Sequence, residues 1–161
     1  MRALVHIALT IADLNGLGIL SYDIQNAYLT AECRENIWAH SGPEFGSDAG
    51  TIMIVKMAIC GLKSSGAVFY AHLAEAFNEI GFLSTNAEPD VWYQPAVKPN
   101  DFEYYEYILC YVDDILCISH EPGIALRRVH AVFRFKGDKM EHPKIYPGDQ
   151  VGKMIVYGEE G

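Results

Sequence analysis

Basic residues are scarce in this chain. Its 161 residues hold 12 Lys and Arg against 21 Asp and Glu, a net charge of -9. Phosphate backbones are normally met by an excess of cations, so a free-standing nucleic-acid binder is excluded as a first reading. If the chain handles nucleic acid, the basic surfaces lie elsewhere. Cysteine is sparse too. Cys33, Cys60, Cys110 and Cys117 form no CxxC pair, and only Cys117 has a histidine, His120, at ligand spacing. Neither a zinc site nor a disulfide framework is indicated, which fits a reducing, intracellular setting. No apolar run approaches the roughly 18 residues of a membrane span, so no membrane partner is expected. The short apolar start at Met1 to Ile11 is broken by His6, and no small-residue cleavage motif follows it. Internal repeats and low-complexity segments are missing as well. What is plentiful is apolar: 50% hydrophobic and 12% aromatic residues can bury one substantial core, while the chain is short for two domains.

Leu4, Ile7, Ala8, Ile11 and Leu14 recur at helical spacing, and Asn15-Gly16 supplies residues able to end a helix there. Leu17 to Asp23 is a compact apolar run that reads as a buried strand delivering Asp23 at its end. Ile37 to Ala39 is a weak strand, Gly42 to Gly50 a loop, and Ile52 to Met57 a stronger strand. A helix is expected from Ser64 or Ser65, either able to serve as N-cap, with a stripe of Tyr70, Leu73, Phe77 and Ile80 and a stop at Gly81. Val91 to Gln94 reads as an edge strand curtailed by Pro95. A helix from Pro122 to Phe135 with Gly137 as its stop follows. A small hairpin is expected from Ile145-Tyr146, Pro147-Gly148 and Met154 to Tyr157.

Tyr104 to Val112 and Ile115 to Ser119 are two β-prone runs separated by Asp113-Asp114, the pattern of a hairpin with acids at its tip. No Lys or Arg occurs from Pro99 to Leu126, while Asp101, Glu103, Glu106, Asp113, Asp114 and Glu121 all fall there. Adjacent carboxylates between apolar strands repel each other and lose hydration, so each is driven toward its protonated form unless a cation holds it ionised. A divalent metal is the simplest such cation; a solvated acidic turn is the plainer alternative.

Tyr111-Val112-Asp113-Asp114 resembles the Tyr-x-Asp-Asp signature of reverse transcriptases. Upstream, Asp23-Ile24-Gln25-Asn26-Ala27-Tyr28-Leu29 is similar to that family's first catalytic motif, a strand-end Asp followed five residues on by an aromatic. Between them, Met57 to Lys63 resembles the block before the nucleotide-contacting helix, Phe69-Tyr70 an aromatic pair, and Glu88-Pro89-Asp90-Val91-Trp92-Tyr93 the Asp-Pro-x-Leu-Tyr segment of copia-type enzymes. The order and spacing of these blocks resemble the reverse transcriptase of copia-type LTR retrotransposons over most of Leu4 to Met154. Three departures stand out: Ser64 where many members carry Gln, Cys60 where Tyr is common, and Pro147-Gly148 in place of Leu-Gly near the end.

The resemblance implies an α+β fold, a polymerase palm built as a ferredoxin-like antiparallel sheet with helices packed on one face, plus part of the fingers. Residues 1–161 are then a single domain fragment of a Gag-Pol polyprotein, without thumb, RNase H or integrase. The implied activity is RNA-directed DNA polymerisation by two-metal nucleotidyl transfer, adding dNTPs to a primer 3'-hydroxyl. The partners are an RNA template, a DNA or RNA primer, dNTPs and the remaining polyprotein domains. Two Mg2+ ions, replaceable by Mn2+, are bridged by Asp23 and Asp113, with Asp114 accessory and the Ile24 carbonyl an extra ligand. Tyr28 lies under the incoming sugar and excludes a 2'-hydroxyl, unless it is a plain core aromatic. Ala27, Lys63 and Ser64 are the other nucleotide contacts, and Tyr111 meets the primer end or packs the strand. Lys136 and Lys139 are read as solvated loop residues, with proton donation to pyrophosphate as the alternative. The setting implied is a cytoplasmic virus-like particle with nuclear delivery of the product. The isolated fragment is expected to be inactive. The rival reading is an inactive remnant of such an element, and a nucleotide cyclase on a similar sheet lacks its base-pocket signature here.

Overall fold

The structure, a computed structural model, describes residues 2–137 and the backbone of two short strands at Ile145–Tyr146 and Asp149–Gln150. In chain order the elements are α1 (Arg2–Leu14), β1 (Gly18–Asp23), β2 (Trp38–His40), β3 (Ile52–Ile54), α2 (Ser65–Glu79), β4 (Leu83–Ser84), β5 (Val91–Val97), β6 (Glu103–Tyr111), β7 (Asp114–Ser119), α3 (Pro122–His130), β8 (Ile145–Tyr146) and β9 (Asp149–Gln150). This is an α+β fold around one five-stranded antiparallel sheet in the order β1-β7-β6-β5-β4. β2 pairs with β3 and β8 with β9 in two separate hairpins.

Strand alternation gives the sheet two distinct faces. One carries Trp92, Ile108, Cys110, Ile115 and Cys117, which pack with Phe69, Leu73 and Phe77 of α2 and with Ala125, Leu126 and Val129 of α3. Burying aromatics such as Trp92, Phe77, Phe82 and Phe133 contributes about 1.5–3 kcal/mol each. The other face carries Leu109, Leu116 and Ile118, and against these α1 lays Val5, Ala8 and Ala12. Helices therefore cover both faces, where one was expected. The physical reason is that β6 and β7 are apolar at odd and even positions alike, so each side of the sheet needs a cover.

α1 ends as anticipated: Gly16 takes φ +55° and the Leu17 N–H returns to the Ala12 carbonyl at 2.8 Å. Its buried stripe is Val5-Ala8-Ala12, however, and Ile7 and Leu14 are exposed. α2 runs as predicted with Ser64 at its N-cap position, but neither serine side chain makes a capping hydrogen bond. Ser65 is buried and donates its hydroxyl to the Ile59 carbonyl at 2.6 Å. Ser64 instead gives both its N–H and its hydroxyl to the Glu35 carboxylate, an acid placed at a helix start where it is favoured.

The largest differences from expectation are at three element boundaries. β3 stops at Ile54 rather than Met57, and with β2 it leaves Trp38, Ile52 and Ile54 exposed on one face. β5 runs through Pro95 to Val97, because β4 reaches only Trp92 and Tyr93, so the proline lies on an open edge that loses no ladder bond. α3 ends at His130, not Phe135: Phe133 is fully buried, and Phe135 bridges to Ile24 beside β1. The tail hairpin pairs Ile145–Tyr146 with Asp149–Gln150. Pro147, Gly148 and Met154 to Tyr157 lie outside the described residues.

Candidate active site

Asp23 closes β1, and the register places it directly opposite Asp114, the first residue of β7. Asp114 is in turn opposite Tyr111 at the end of β6. The hairpin tip is thus Val112-Asp113, one residue earlier than the expected Asp113-Asp114. The shift has a simple cause: a two-residue loop lets the ladder close on Tyr111 and Asp114. Such loops require φ > 0 at their first position, normally filled by Gly or Asn. Here Val112 occupies it at φ +56°, a strained conformation for a β-branched side chain.

On β1's other side, the chain after α3 adds a short pairing. The Gln25 N–H donates to the Arg134 carbonyl at 2.8 Å, and the Lys136 N–H to the Asp23 carbonyl at 2.9 Å. The Ile24 N–H, pointing the other way, donates to the Asp113 carbonyl at 2.8 Å. Directly opposed residues in antiparallel pairs project to the same face. Tyr111, Asp114, Asp23 and Lys136 therefore form one row across four neighbouring segments, on the face that α1 covers further along. Lys136 Nζ lies 3.4 Å from Asp23 Oδ2.

Burial is the main cause that raises the Asp114 carboxyl above its ordinary range, followed by the charges of Asp113 and Asp23; Lys136 acts in the opposite sense. All three carboxylates thus interact electrostatically. As a donor set they fit a hard divalent cation in kind, being oxygen ligands held partly out of water. As they stand, no three Asp, Glu, His or Cys side chains among the described residues converge to enclose an ion. The register sets Asp114, read from the sequence as the accessory acid, opposite Asp23. Asp113 occupies the turn and contributes its main-chain oxygen to Ile24.

The remaining candidates divide. Ala27 and Tyr28 lie in a single 3-10 turn, Ala27–Thr30, entered through Asn26 at φ +54°. α2 packs on this turn. Ala27 is buried, and Tyr28 is half-buried with its ring edge-on to Phe69 at 5.8 Å, so it packs on the core and retains an exposed part. Tyr111 is 46% exposed beside the carboxylates. The Ile24 side chain is buried. Lys63 is exposed just before α2, and the Ser64 hydroxyl is already taken by Glu35. Lys136 is solvated, as expected, yet paired with Asp23; Lys139 lies outside the described residues.

Sequence reasoning missed Glu35 and the partner of Lys136. Glu35 sits 29 positions from Ser64, with no pattern linking them. Lys136 looked like an ordinary loop lysine, because its partner is fixed only by the Phe135-Ile24 bridge.

At the opposite end of β6 and β7 lies a cavity of about 410 Å³ lined by Lys98, Tyr104, Glu106, His120 and Glu121 among others. Beside it the fully buried Ser119 donates to Glu106 Oε1 at 2.6 Å and accepts the Glu121 N–H at 3.1 Å. Gln94 bonds the same carboxylate, and Arg128 holds Gln94 at 3.3 Å. This network has its polar groups satisfied and reads as structural. Among the described residues no helix is long and apolar enough to cross a membrane. Comparison with known proteins finds no matching family model, no curated protein and no solved structure of significant similarity.

Proposed function

We propose that this chain is the palm, with part of the fingers, of a copia-type reverse transcriptase, an RNA-directed DNA polymerase acting by metal-assisted nucleotidyl transfer. One observation carries the reading. Asp23 and the Asp113-Asp114 pair, far apart in sequence and tied only by motif resemblance, meet at one end of one sheet with Asp23 opposite Asp114. The topology agrees in outline: β1, α2, β6, β7 and α3 follow in order, and residues 134–136 return beside β1, a β-α-β-β-α-β progression of the ferredoxin-like kind. The cover of α1 on the second face is an addition to that scheme.

In this reading the carboxylates of Asp23, Asp113 and Asp114 hold magnesium or manganese, with the Ile24 carbonyl as a further ligand. Two such ions held by these residues would supply a lowered pKa at the primer 3'-hydroxyl and a counter-charge for the departing pyrophosphate. Tyr111, exposed in the same row, contacts the primer end. Tyr28, held edge-on against Phe69, presents its free edge to the sugar and disfavours a 2'-hydroxyl. Ala27, whose side chain is buried in the core, contributes through the backbone of the turn that carries Tyr28, and Lys63 supplies positive charge near phosphate. Ser64 is engaged by Glu35 and contributes to the nucleotide only after releasing it. RNA template, DNA or RNA primer and the other polyprotein domains complete the machine, in a cytoplasmic particle.

The test is to graft residues 1–161 into a complete copia-type enzyme and measure DNA synthesis on an RNA template beside the Asp113→Asn version. Synthesis well above that control supports the reading. Synthesis equal to it favours the rival, an inactive remnant that keeps the fold.

A further inference from the structure

The row of Tyr111, Asp114, Asp23 and Lys136 holds one cation already, and that cation is part of the chain. We infer that Lys136 is an internal counter-ion that occupies the carboxylate row in the metal-free protein and must leave Asp23 before a divalent cation can bind there. The inference rests on the divalent-cation reading of the site given above.

Two features make Lys136 suited to this task. Its backbone is fixed: the hydrogen bonds from Lys136 N to the Asp23 carbonyl and from Gln25 N to the Arg134 carbonyl hold the Lys136 Cα beside the aspartate. Its side chain is not fixed, being 72% exposed, with Nζ at 3.4 Å from Asp23 Oδ2. An exposed lysine head changes rotamer on the picosecond to nanosecond scale. Lys136 can therefore swing into solvent without disturbing the ladder, and an arriving ion meets no folded barrier.

The need for such a group follows from the register. Asp23 and Asp114 are directly opposed, and like charges in that relation destabilise a sheet. Asp113 adds a third negative charge next to Asp114. Lys136 brings a positive charge to this row, its Nζ 3.4 Å from Asp23 Oδ2. The same contact engages Asp23 Oδ2, an oxygen that an arriving ion would need. The lysine stabilises the empty row, and its departure frees an oxygen of Asp23 for the ion.

The experiment titrates the full chain with Mn2+ and follows free Mn2+ by its electron paramagnetic resonance signal. Four forms are compared: unaltered, Lys136→Met, Lys136→Arg, and Lys56→Met as a control for net charge. Loss of the lysine charge should tighten Mn2+ binding about two- to fivefold, the range that an exposed ion pair is worth. Lys136→Arg and Lys56→Met should bind as the unaltered chain does. Circular dichroism melting checks that each variant is folded. Unchanged or weaker binding by folded Lys136→Met overturns the inference. Asp23→Asn separates the two levels: if it abolishes binding while Lys136→Met is indifferent, the metal site stands and the counter-ion role falls. If neither the unaltered chain nor Lys136→Met binds Mn2+, the metal reading and the counter-ion role both fall.

Discussion

Replacing Asp114 by Asn should stabilise the metal-free protein, although Asp114 belongs to the proposed site. Directly opposed residues in an antiparallel pair sit about 5 Å apart, where two like charges repel by about 1–3 kcal/mol between the dielectric extremes of water and a protein surface. Cross-strand pairs are worth less, about 0.2–1 kcal/mol. Asp23 keeps a side-chain exposure of 36% and Lys136 offsets part of the repulsion, while Asp113 and burial add to it. A net gain of about 1 kcal/mol follows, which for a chain of this size raises Tm by about 2–4 °C. The sign of the pH dependence is fixed by the direction of the shift. Asp114 binds its proton more tightly when folded, so folding takes up a proton between the ordinary carboxylate value of 3.8 and the raised one. Its stability contribution therefore falls as pH climbs through that window. The advantage of Asp114→Asn should be small below pH 3.8 and full at neutral pH. Differential scanning fluorimetry of both proteins from pH 3 to pH 8, in EDTA, measures this directly. A lower Tm for the Asn variant at pH 7, or a gain undiminished at pH 3, would refute the reasoning. In excess Mg2+ the order should narrow or reverse, because the ion stabilises only the form that binds it.

Val112→Gly removes a β-branched side chain from a positive-φ turn position while giving up little packing, as Val112 is 45% exposed. Relief of strain should outweigh the glycine entropy cost by about 0.5–1 kcal/mol, seen as a higher urea midpoint at constant m. Ser119→Ala removes the donor to Glu106 Oε1, leaving that carboxylate with Gln94 alone, and takes away the acceptor of the Glu121 N–H, and should cost about 1–3 kcal/mol in the same assay. The cysteines should react in two classes. Cys60 is exposed and Cys33 half-exposed, while Cys110 and Cys117 are buried with thiols pushed up chiefly by burial. A thiol reagent at pH 8 should label the first two in the native protein and the second two only in denaturant; fast labelling of Cys110 would contradict the packing.

Long periodic segments were legible in the sequence, and residues whose partners come from elsewhere in the chain were not. α1 and α2 follow from their apolar spacing, and β6 and β7 from continuous β-prone runs around an acidic pair. Pro95 misled because its tolerance depends on β4 being two residues long, a fact of the neighbouring strand. The end of α3 was misplaced because Phe133 continues the helical spacing of Leu126 and Val129, although it and Phe135 serve as core and bridge positions beyond the helix. Ser64 and Ser65 have the chemistry of N-caps, yet Glu35 and the Ile59 carbonyl compete for their hydroxyls. At the site, Asp23 and Asp113-Asp114 were found through motif order, while the facing of Asp23 to Asp114 is a property of register. A one-residue displacement of the turn is enough to exchange the two acids of the hairpin, and no local signal fixes it.

The two-residue turn at Val112-Asp113 has a consequence for how such a site can vary. The turn starts β7 at Asp114, and β1 pairs with β7 up to that residue, so the gap between Asp23 and Asp114 is the strand spacing of about 4.8 Å, a dimension of the backbone that no side-chain change adjusts. Reach across that gap can be altered only in steps of one carbon bond, about 1.5 Å. Aspartate and glutamate are then different tools at these positions, and a lengthened acid cannot be compensated by a relaxed loop, since the loop has no slack to yield.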